Sequence, residues 1–382
     1  MKTFIPISIS SKFGLCGLPI RIDTYKTCSH GCKYCFANNR KIMEFEKTLQ
    51  IGNLKWVERK LKKIFDDKDV VKNNFLEVLI SQGITWHCGG MSDPFQPSEE
   101  RFGITKQLLD ITNKYGISIL FSTKGFSVYG CDIKPELHTF QLSITNTKNR
   151  KDIEPNIATI KDRYKFYRSL KDRGFRVGIR IQPFIPGITD ESIVEMFKDA
   201  DYFTIEGLKL IPQNKEHKDF LLDILKIPRK SFIQMGLLNF KPEIREELYK
   251  PVLEELERYS IPYSIADNDM HYISSGKCCC GDTLIKKSTN FNTTALAQRY
   301  GLTWTKREML KELRESNCGS CVVNNLFTSN RQEGLKTVRQ FMSKRYDRES
   351  SPFSPKFFYC NKVIQKENKQ ARLREQEQAQ SH

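Results

Sequence analysis

Three cysteines within eight residues constrain this chain more than any other feature. They are Cys28, Cys32 and Cys35, in the stretch Thr27-Cys28-Ser29-His30-Gly31-Cys32-Lys33-Tyr34-Cys35-Phe36. Gaps of three and then two residues let a single loop aim three thiols at one centre, and soft thiolates select zinc or iron–sulfur. A closed structural zinc site takes four protein ligands, whereas a set of three leaves a coordination position open for chemistry. Such a loop needs a rigid frame to hold it.

The frame is legible in the apolar spacing. Ile20 and Ile22 mark a short strand running into the cysteine loop, and five further strands are expected over residues 84–90, 117–125, 138–145, 176–184 and 202–211. Between them lie helical patterns. Leu54, Val57, Leu61, Ile64 and Phe65 form one apolar stripe among lysines. Pro97 opens a second helix that runs through Ile104, Leu108, Leu109 and Ile111 to a stop at Gly116, and a third spans 157–170 and ends at Gly174. A helix over 243–259 and a strand over 261–266 extend or cap the set. Strands alternating with helices predict a parallel sheet with helical crossovers. Six units give an α/β fold, a partial (β/α)6 TIM-like barrel whose chemistry lies at the C-terminal ends of its strands.

Individual residues sharpen this expectation. Gly89 and Gly90 end the second strand and permit close backbone approach to a ligand, although a turn alone would also use them. Ser143 faces the opposite side of its strand from Leu142 and Ile144. Arg180 interrupts an apolar strand and is costly to bury unpaired, so it is expected to point into a polar cavity. Lys124, at a strand end, reads either as an anion contact or as a surface lysine, and Asp190 as the cap of the next helix.

A second cysteine set follows, at Cys278, Cys279 and Cys280 and again at Cys318 and Cys321. A CxxC pair with remote cysteines is a credible thiolate site for zinc or a second iron–sulfur cluster, against the alternative that adjacent cysteines merely pack. We therefore divide the chain into a barrel over 1–275 and a cysteine-rich C-terminal extension with a basic tail over 276–382.

Composition narrows the setting. No apolar run approaches a membrane span, and residues 1–6 lack the apolar core of a secretory signal, so a cytoplasmic protein without membrane association is expected. Twelve cysteines then read as ligands and reduced thiols, not as a disulfide framework. A net charge of +17 admits a polyanionic partner such as a nucleic acid; a lysine-rich composition gives the same charge without one.

The CxxxCxxC spacing, with Tyr34 just before the third cysteine, resembles the radical S-adenosylmethionine (SAM) superfamily. Arg21-Ile22-Asp23-Thr24-Tyr25, Ser92-Asp93-Pro94-Phe95-Gln96-Pro97, Ser143-Ile144-Thr145, Glu154-Pro155 and Pro183-Phe184-Ile185-Pro186-Gly187-Ile188-Thr189-Asp190 resemble, more narrowly, its spore photoproduct lyase (SplB)-like group. The resemblance implies a 4Fe-4S cluster on Cys28, Cys32 and Cys35, with SAM chelating the fourth iron. It implies SAM contacts among Tyr34, Phe36, Gly89, Gly90, Ser143 and Arg180, and an external reductant such as a flavodoxin or ferredoxin. Cys131 is the candidate for the hydrogen-donor cysteine that true spore photoproduct lyases carry. The expected activity is reductive SAM cleavage to a 5′-deoxyadenosyl radical that abstracts hydrogen from a nucleic acid or nucleobase. The alternatives are a peptide or small metabolite as substrate and, in another class, a zinc-binding nucleic-acid-binding protein.

Overall fold

Apolar strands separated by amphipathic helices do assemble into one mostly parallel sheet. The computed structural model describes residues 2–10, 17–37, 49–67, 75–211, 214–225, 228–235, 237–267 and 270–289. Its main sheet has eight strands: β1 (Ile7–Ile9), β2 (Ile20–Ile22), β3 (Trp86–Cys88), β4 (Ile119–Thr123), β5 (His138–Ser143), β6 (Val177–Phe184), β7 (Tyr202–Gly207) and β8 (Tyr263–Ile265). They lie side by side in chain order. Strands β2 to β8 are all parallel, and β1 joins the β2 edge antiparallel. The six expected strands are thus present, with β8 as a seventh parallel member.

Helices lie between the strands and pack on the outer face, except Lys215–Leu225, whose Leu221 and Leu222 are buried with Cys32, Tyr34 and Leu210. They are α1 (Leu54–Phe65), α2 (Phe75–Ser81), α3 (Ser98–Phe102), α4 (Ile104–Thr112), α5 (Ile160–Asp172), α6 (Ser192–Met196), α7 (Lys215–Leu225) and α8 (Pro242–Arg258). In α1, Leu54, Val57, Leu61 and Ile64 are buried while the Asn53 side chain accepts the Trp56 N–H at its start. Phe65 departs from that stripe: it is exposed and stacks on Tyr115, with ring centroids 5.5 Å apart. The second expected helix is broken into α3 and α4 at Gly103, whose φ of +58° lies in the left-handed region. Helix α5 starts at Ile160, later than the apolar pattern suggested, because the Thr159 side chain caps the Asp162 N–H. Strand β7 stops at Gly207. Lys209–Leu210 leaves it for a separate antiparallel sheet with Phe232–Met235 and Leu237–Phe240.

The sheet's two faces are chemically unlike. Phe121, Phe140, Leu142, Ile179 and Phe203 point outward into the helix-covered core, where the Phe95, Phe121 and Phe140 rings pack 5.1–6.1 Å apart. The alternate residues His87, Ser122, Gln141, Arg180 and Thr204 form a hydrogen-bonded polar row on the inner face.

Residues 276–289 close the floor of this interior. Working along the N-terminal ends of the strands, the Thr283 hydroxyl donates to Asp201 O ahead of β7, and Arg176 ahead of β6 donates to Thr283 O. Lys286 donates to Pro135 O ahead of β5, Lys287 and Thr85 exchange bonds ahead of β3, and Thr289 N donates to Gly17 O ahead of β2. The boundary expected at 276 therefore falls where the chain passes beneath the barrel; residues 290–382 lie outside the described set. Among the described residues no helix is long and apolar enough to cross a membrane.

Candidate functional site

The cysteine loop leaves the C-terminal end of β2 and is fastened from three sides. Gln96 accepts from Ser29 N at 2.6 Å and donates to Thr27 O at 3.1 Å. His30 meets Asp93 at 3.1 Å, and Asn156 donates to Ser29 O at 3.0 Å. Lys33 N donates to Ile153 O at 2.9 Å. Gly31 takes a φ of +66°, which suits glycine at the bend between the first two cysteines. Cys32 is buried, Cys28 and Cys35 are partly accessible, and none of the three is in a disulfide.

Two buried acids anchor the loop. Asp93 accepts from Thr123 Oγ1 at 2.6 Å, Phe95 N at 2.9 Å and Lys124 N, besides meeting His30. Burial opposes its ionisation, but His30 and these donors outweigh that and hold its carboxyl below the usual range. Glu154 accepts from Asn146 Nδ2 at 2.7 Å, from Lys124 Nζ at 3.3 Å and from the Tyr34 hydroxyl. Its carboxyl is likewise held low against burial, by Lys124, the nearby Arg163 and Tyr34.

The six residues expected to contact SAM are distributed as follows. The Tyr34 side chain is buried, its hydroxyl engaged by Glu154 and, at 3.2 Å, Thr145; Phe36 is half-buried beside it in the chain. Lys124, the strand-end lysine, is paired with Glu154 and lies over the Tyr34 ring at 5.4 Å. Gly89 has a φ of +99°, and a Cβ there would stand 2.2 Å from the Ser122 carbonyl oxygen. Gly90 faces the Arg21 guanidinium, which a Cβ would meet at 3.4 Å. Ser143 ends β5, opposite Arg180 in the register, and its carbonyl accepts from Arg163. Arg180 points inward as expected, donating to Gln141 at 3.1 Å and to Gln182, with Glu206 3.8 Å away.

Arg180, Asp23, Cys28 and Cys279 are each partly accessible, and Arg180 lies on the polar inner face through its bond to Gln141. Arg21 Nε, just before the cysteine loop, and Ser29 Oγ and His30 Nδ1, within it, are buried without a hydrogen-bond partner. Unsatisfied buried polar atoms are costly, and a polar ligand at the mouth would satisfy them. Three thiols, a glycine cradle and orphaned polar atoms fit a cysteine-held cluster with a charged amino-acid-bearing cofactor.

Sequence reasoning missed the wall between mouth and floor. His87 donates from Nε2 to Ser122 at 2.9 Å, because the Ser122 hydroxyl is itself a donor to Gln141. Burial first, then Arg21 and Arg180, push the His87 pKa down to about 3, so the ring is neutral. The inward, period-2 placement of His87, Gln141 and Arg180 was the available signal. Cys131 lies instead in the outer core, where burial pushes its thiol up to about 12. Of the second cysteine set, Cys278, Cys279 and Cys280 sit on the barrel floor; Cys318 and Cys321 lie outside the described residues.

No protein-family model matches the chain. An uncharacterized protein of Methanocaldococcus jannaschii is 24% identical over 208 residues, 52% of this chain and 74% of the relative. An uncharacterized Mycobacterium tuberculosis H37Rv protein is 22% identical over 191 residues, 45% of this chain and 52% of that relative. Among solved structures, the chain is similar to a spore photoproduct lyase complexed with dinucleoside spore photoproduct, at 14% identity and a TM-score of 0.48, covering 69% of this chain and 80% of that one. It is also similar to the radical SAM methyltransferase TsrM from Kitasatospora setae with tryptophan substrate and a SAM analogue bound. There the identity is 13% and the TM-score 0.40, covering 76% of this chain and 59% of TsrM.

Proposed function

We propose that this chain is a radical SAM enzyme whose cluster is held by Cys28, Cys32 and Cys35. The observation that carries the reading is the position of the three thiols. They lie in one tethered loop at the C-terminal end of β2, over a parallel barrel whose inner face is polar. Cys28, Cys32 and Cys35 would hold a 4Fe-4S cluster, which with SAM would supply reductive cleavage of SAM to a hydrogen-abstracting radical.

The protein's own part is to bind, orient and exclude. Gly89 and Gly90 bring backbone close to the ligand, and Arg21, with its unpartnered Nε, offers a donor to an anionic group. Tyr34, locked by Glu154 and Thr145, fixes the chain between Cys32 and Cys35. The floor segment, bonded to the starts of β3, β5 and β7, covers the far end and helps keep water and competing reductants from the centre.

The net charge of +17 favours a nucleic acid or nucleobase as substrate. The deciding experiment is anaerobic reconstitution, with iron and sulfide counted and SAM cleavage followed on chemical reduction. We expect cleavage in the wild type and none in Cys32→Ala; cleavage that persists in the variant overturns the assignment. Salt-sensitive binding to single- or double-stranded nucleic acid tests the substrate class, and its absence at low salt counts against it.

A further inference from the structure

The floor of the barrel carries a second set of thiols that the reading above does not use. Cys278, Cys279 and Cys280 are consecutive, none is in a disulfide, and their sulfurs all lie within 4.8 Å of one another. Among the described residues this is the one group of three or more His, Cys, Asp or Glu ligand atoms so gathered.

Their backbone is held by barrel side chains, one per residue. The Tyr202 hydroxyl donates to Cys278 O at 3.3 Å, Thr204 Oγ1 to Cys279 O at 3.0 Å, and Gln141 Nε2 to Cys280 O at 3.1 Å. Close packing sets the approach: a Cβ on Gly276 would stand 1.7 Å from the Tyr202 hydroxyl, and Gly281 turns the chain away with a φ of +87°. Cys278 and Cys280 are buried with Leu18, Leu120, Tyr202 and Leu284. Cys279 keeps accessible surface and lies within electrostatic reach of His87, Arg180 and His271. Gln141 joins the two sides, since its Oε1 accepts from Arg180 while its Nε2 holds Cys280.

We propose that Cys278, Cys279 and Cys280 hold one zinc ion on the barrel floor, with its fourth position open to the interior beneath Arg180. Sulfur spacing selects a single ion over a cluster. With Zn–S near 2.3 Å, three sulfurs on one tetrahedral ion stand about 3.8 Å apart, compatible with three sulfurs that all lie within 4.8 Å of one another. A four-iron cluster takes each cysteine on a different iron and needs its sulfurs spread wider. Charge is compatible: three thiolates and Zn²⁺ carry a net charge of about −1, and the Arg180 guanidinium is bonded to the same Gln141 that holds Cys280 O.

The test uses full-length protein carrying Cys28→Ala, Cys32→Ala and Cys35→Ala, so that no cluster forms at the mouth and the outcome is independent of SAM chemistry. Zinc is counted after desalting, and cobalt is added as an optical probe of thiolate ligation. We expect one equivalent of zinc, thiolate-to-cobalt charge-transfer absorption, and zinc-dependent protection of Cys278–Cys280 from alkylation as read by mass spectrometry. Adding Cys279→Ser, the mildest change because Cys279 is the least packed of the three, should weaken zinc binding at least ~100-fold with an unchanged circular dichroism spectrum. Adding Cys318→Ser and Cys321→Ser instead should leave it intact. Three results overturn the proposal: zinc retained without protection of the triplet, zinc lost with Cys318 and Cys321 but not with Cys279, or iron and sulfide bound in place of zinc. The protection measurement needs no triplet variant, so it decides the matter even if Cys279→Ser misfolds.

Discussion

Two neighbouring glycines should respond very differently to the same methyl group. In Gly89→Ala the new Cβ would stand 2.2 Å from the Ser122 carbonyl oxygen and 3.1 Å from Pro94 Cδ, at a backbone φ of +99°. Real Cβ atoms essentially never approach a neighbour closer than 3.0 Å, so backbone must shift between the end of β3 and β4, where the atom met is a main-chain carbonyl and not a flexible side chain. A non-glycine residue at such a φ costs about 1–3 kcal/mol, and overpacking adds about 1–3 kcal/mol. In Gly90→Ala the nearest atom is the movable Arg21 Nη1 at 3.4 Å, and φ lies outside the left-handed range. Replacing glycine there also restricts the unfolded chain, worth about 0.4–1 kcal/mol in favour of folding. Urea unfolding of the metal-free protein, with midpoint and slope both fitted, should show Gly89→Ala destabilised by at least about 2 kcal/mol and Gly90→Ala within about 1 kcal/mol of wild type. Equal stability of the two variants would refute the account of why glycine stands at 89. If Gly90→Ala folds as expected, its SAM affinity then reports the binding role of that backbone separately from stability.

Two further outcomes follow from buried charge. Glu154→Ala strips the counter-charge from Lys124 and Arg163 and should cost about 3–5 kcal/mol in denaturant unfolding, and a loss below about 1 kcal/mol would show that the network does not hold the cysteine loop. His87 and His138 are kept neutral chiefly by burial, with pKa values down to about 3 and about 4. The unfolded chain therefore takes up their protons first, near pH 6.5, so stability is full above that value and is lost as pH falls, by about 2 kcal/mol per histidine at pH 5. Asp23, raised by burial, offsets part of this once its carboxyl protonates. A cluster-free melting temperature that is flat from pH 7 to pH 5 would contradict the sign.

The order of the sheet was legible because each strand is a short apolar run bounded by turn residues and separated by a helical pattern. The placing of the cysteine loop at a strand end followed from Ile20 and Ile22 alone. Arg180 could be pointed inward from its cost of burial, and it does point there. What the pattern could not show was pairing across long sequence separations. Lys124 reads from the sequence as either an anion contact or a surface lysine, and its pairing with Glu154, thirty residues on, is in neither reading. The His30–Asp93 and Ser29–Gln96 contacts likewise join loops after different strands, so no local spacing encodes them. Thr159 and Gly103 moved helix ends through backbone capping that an apolar stripe does not register. The triplet at 278–280 was visible as cysteines, but its place beneath the barrel depends on one-to-one bonds from Tyr202, Thr204 and Gln141.

The floor segment also bears on the order in which the molecule is made. Its bonds reach back 82 residues to Asp201, 151 to Pro135, 202 to Thr85 and 272 to Gly17. Contacts of such sequence separation are the slowest to close, because the loop entropy must be overcome before they return any energy. In the order of synthesis, all eight strands and the mouth cysteines precede the segment that makes these bonds. Only with residues 283–289 does the chain supply the bonds that tie the starts of β2, β3, β5, β6 and β7 to one segment.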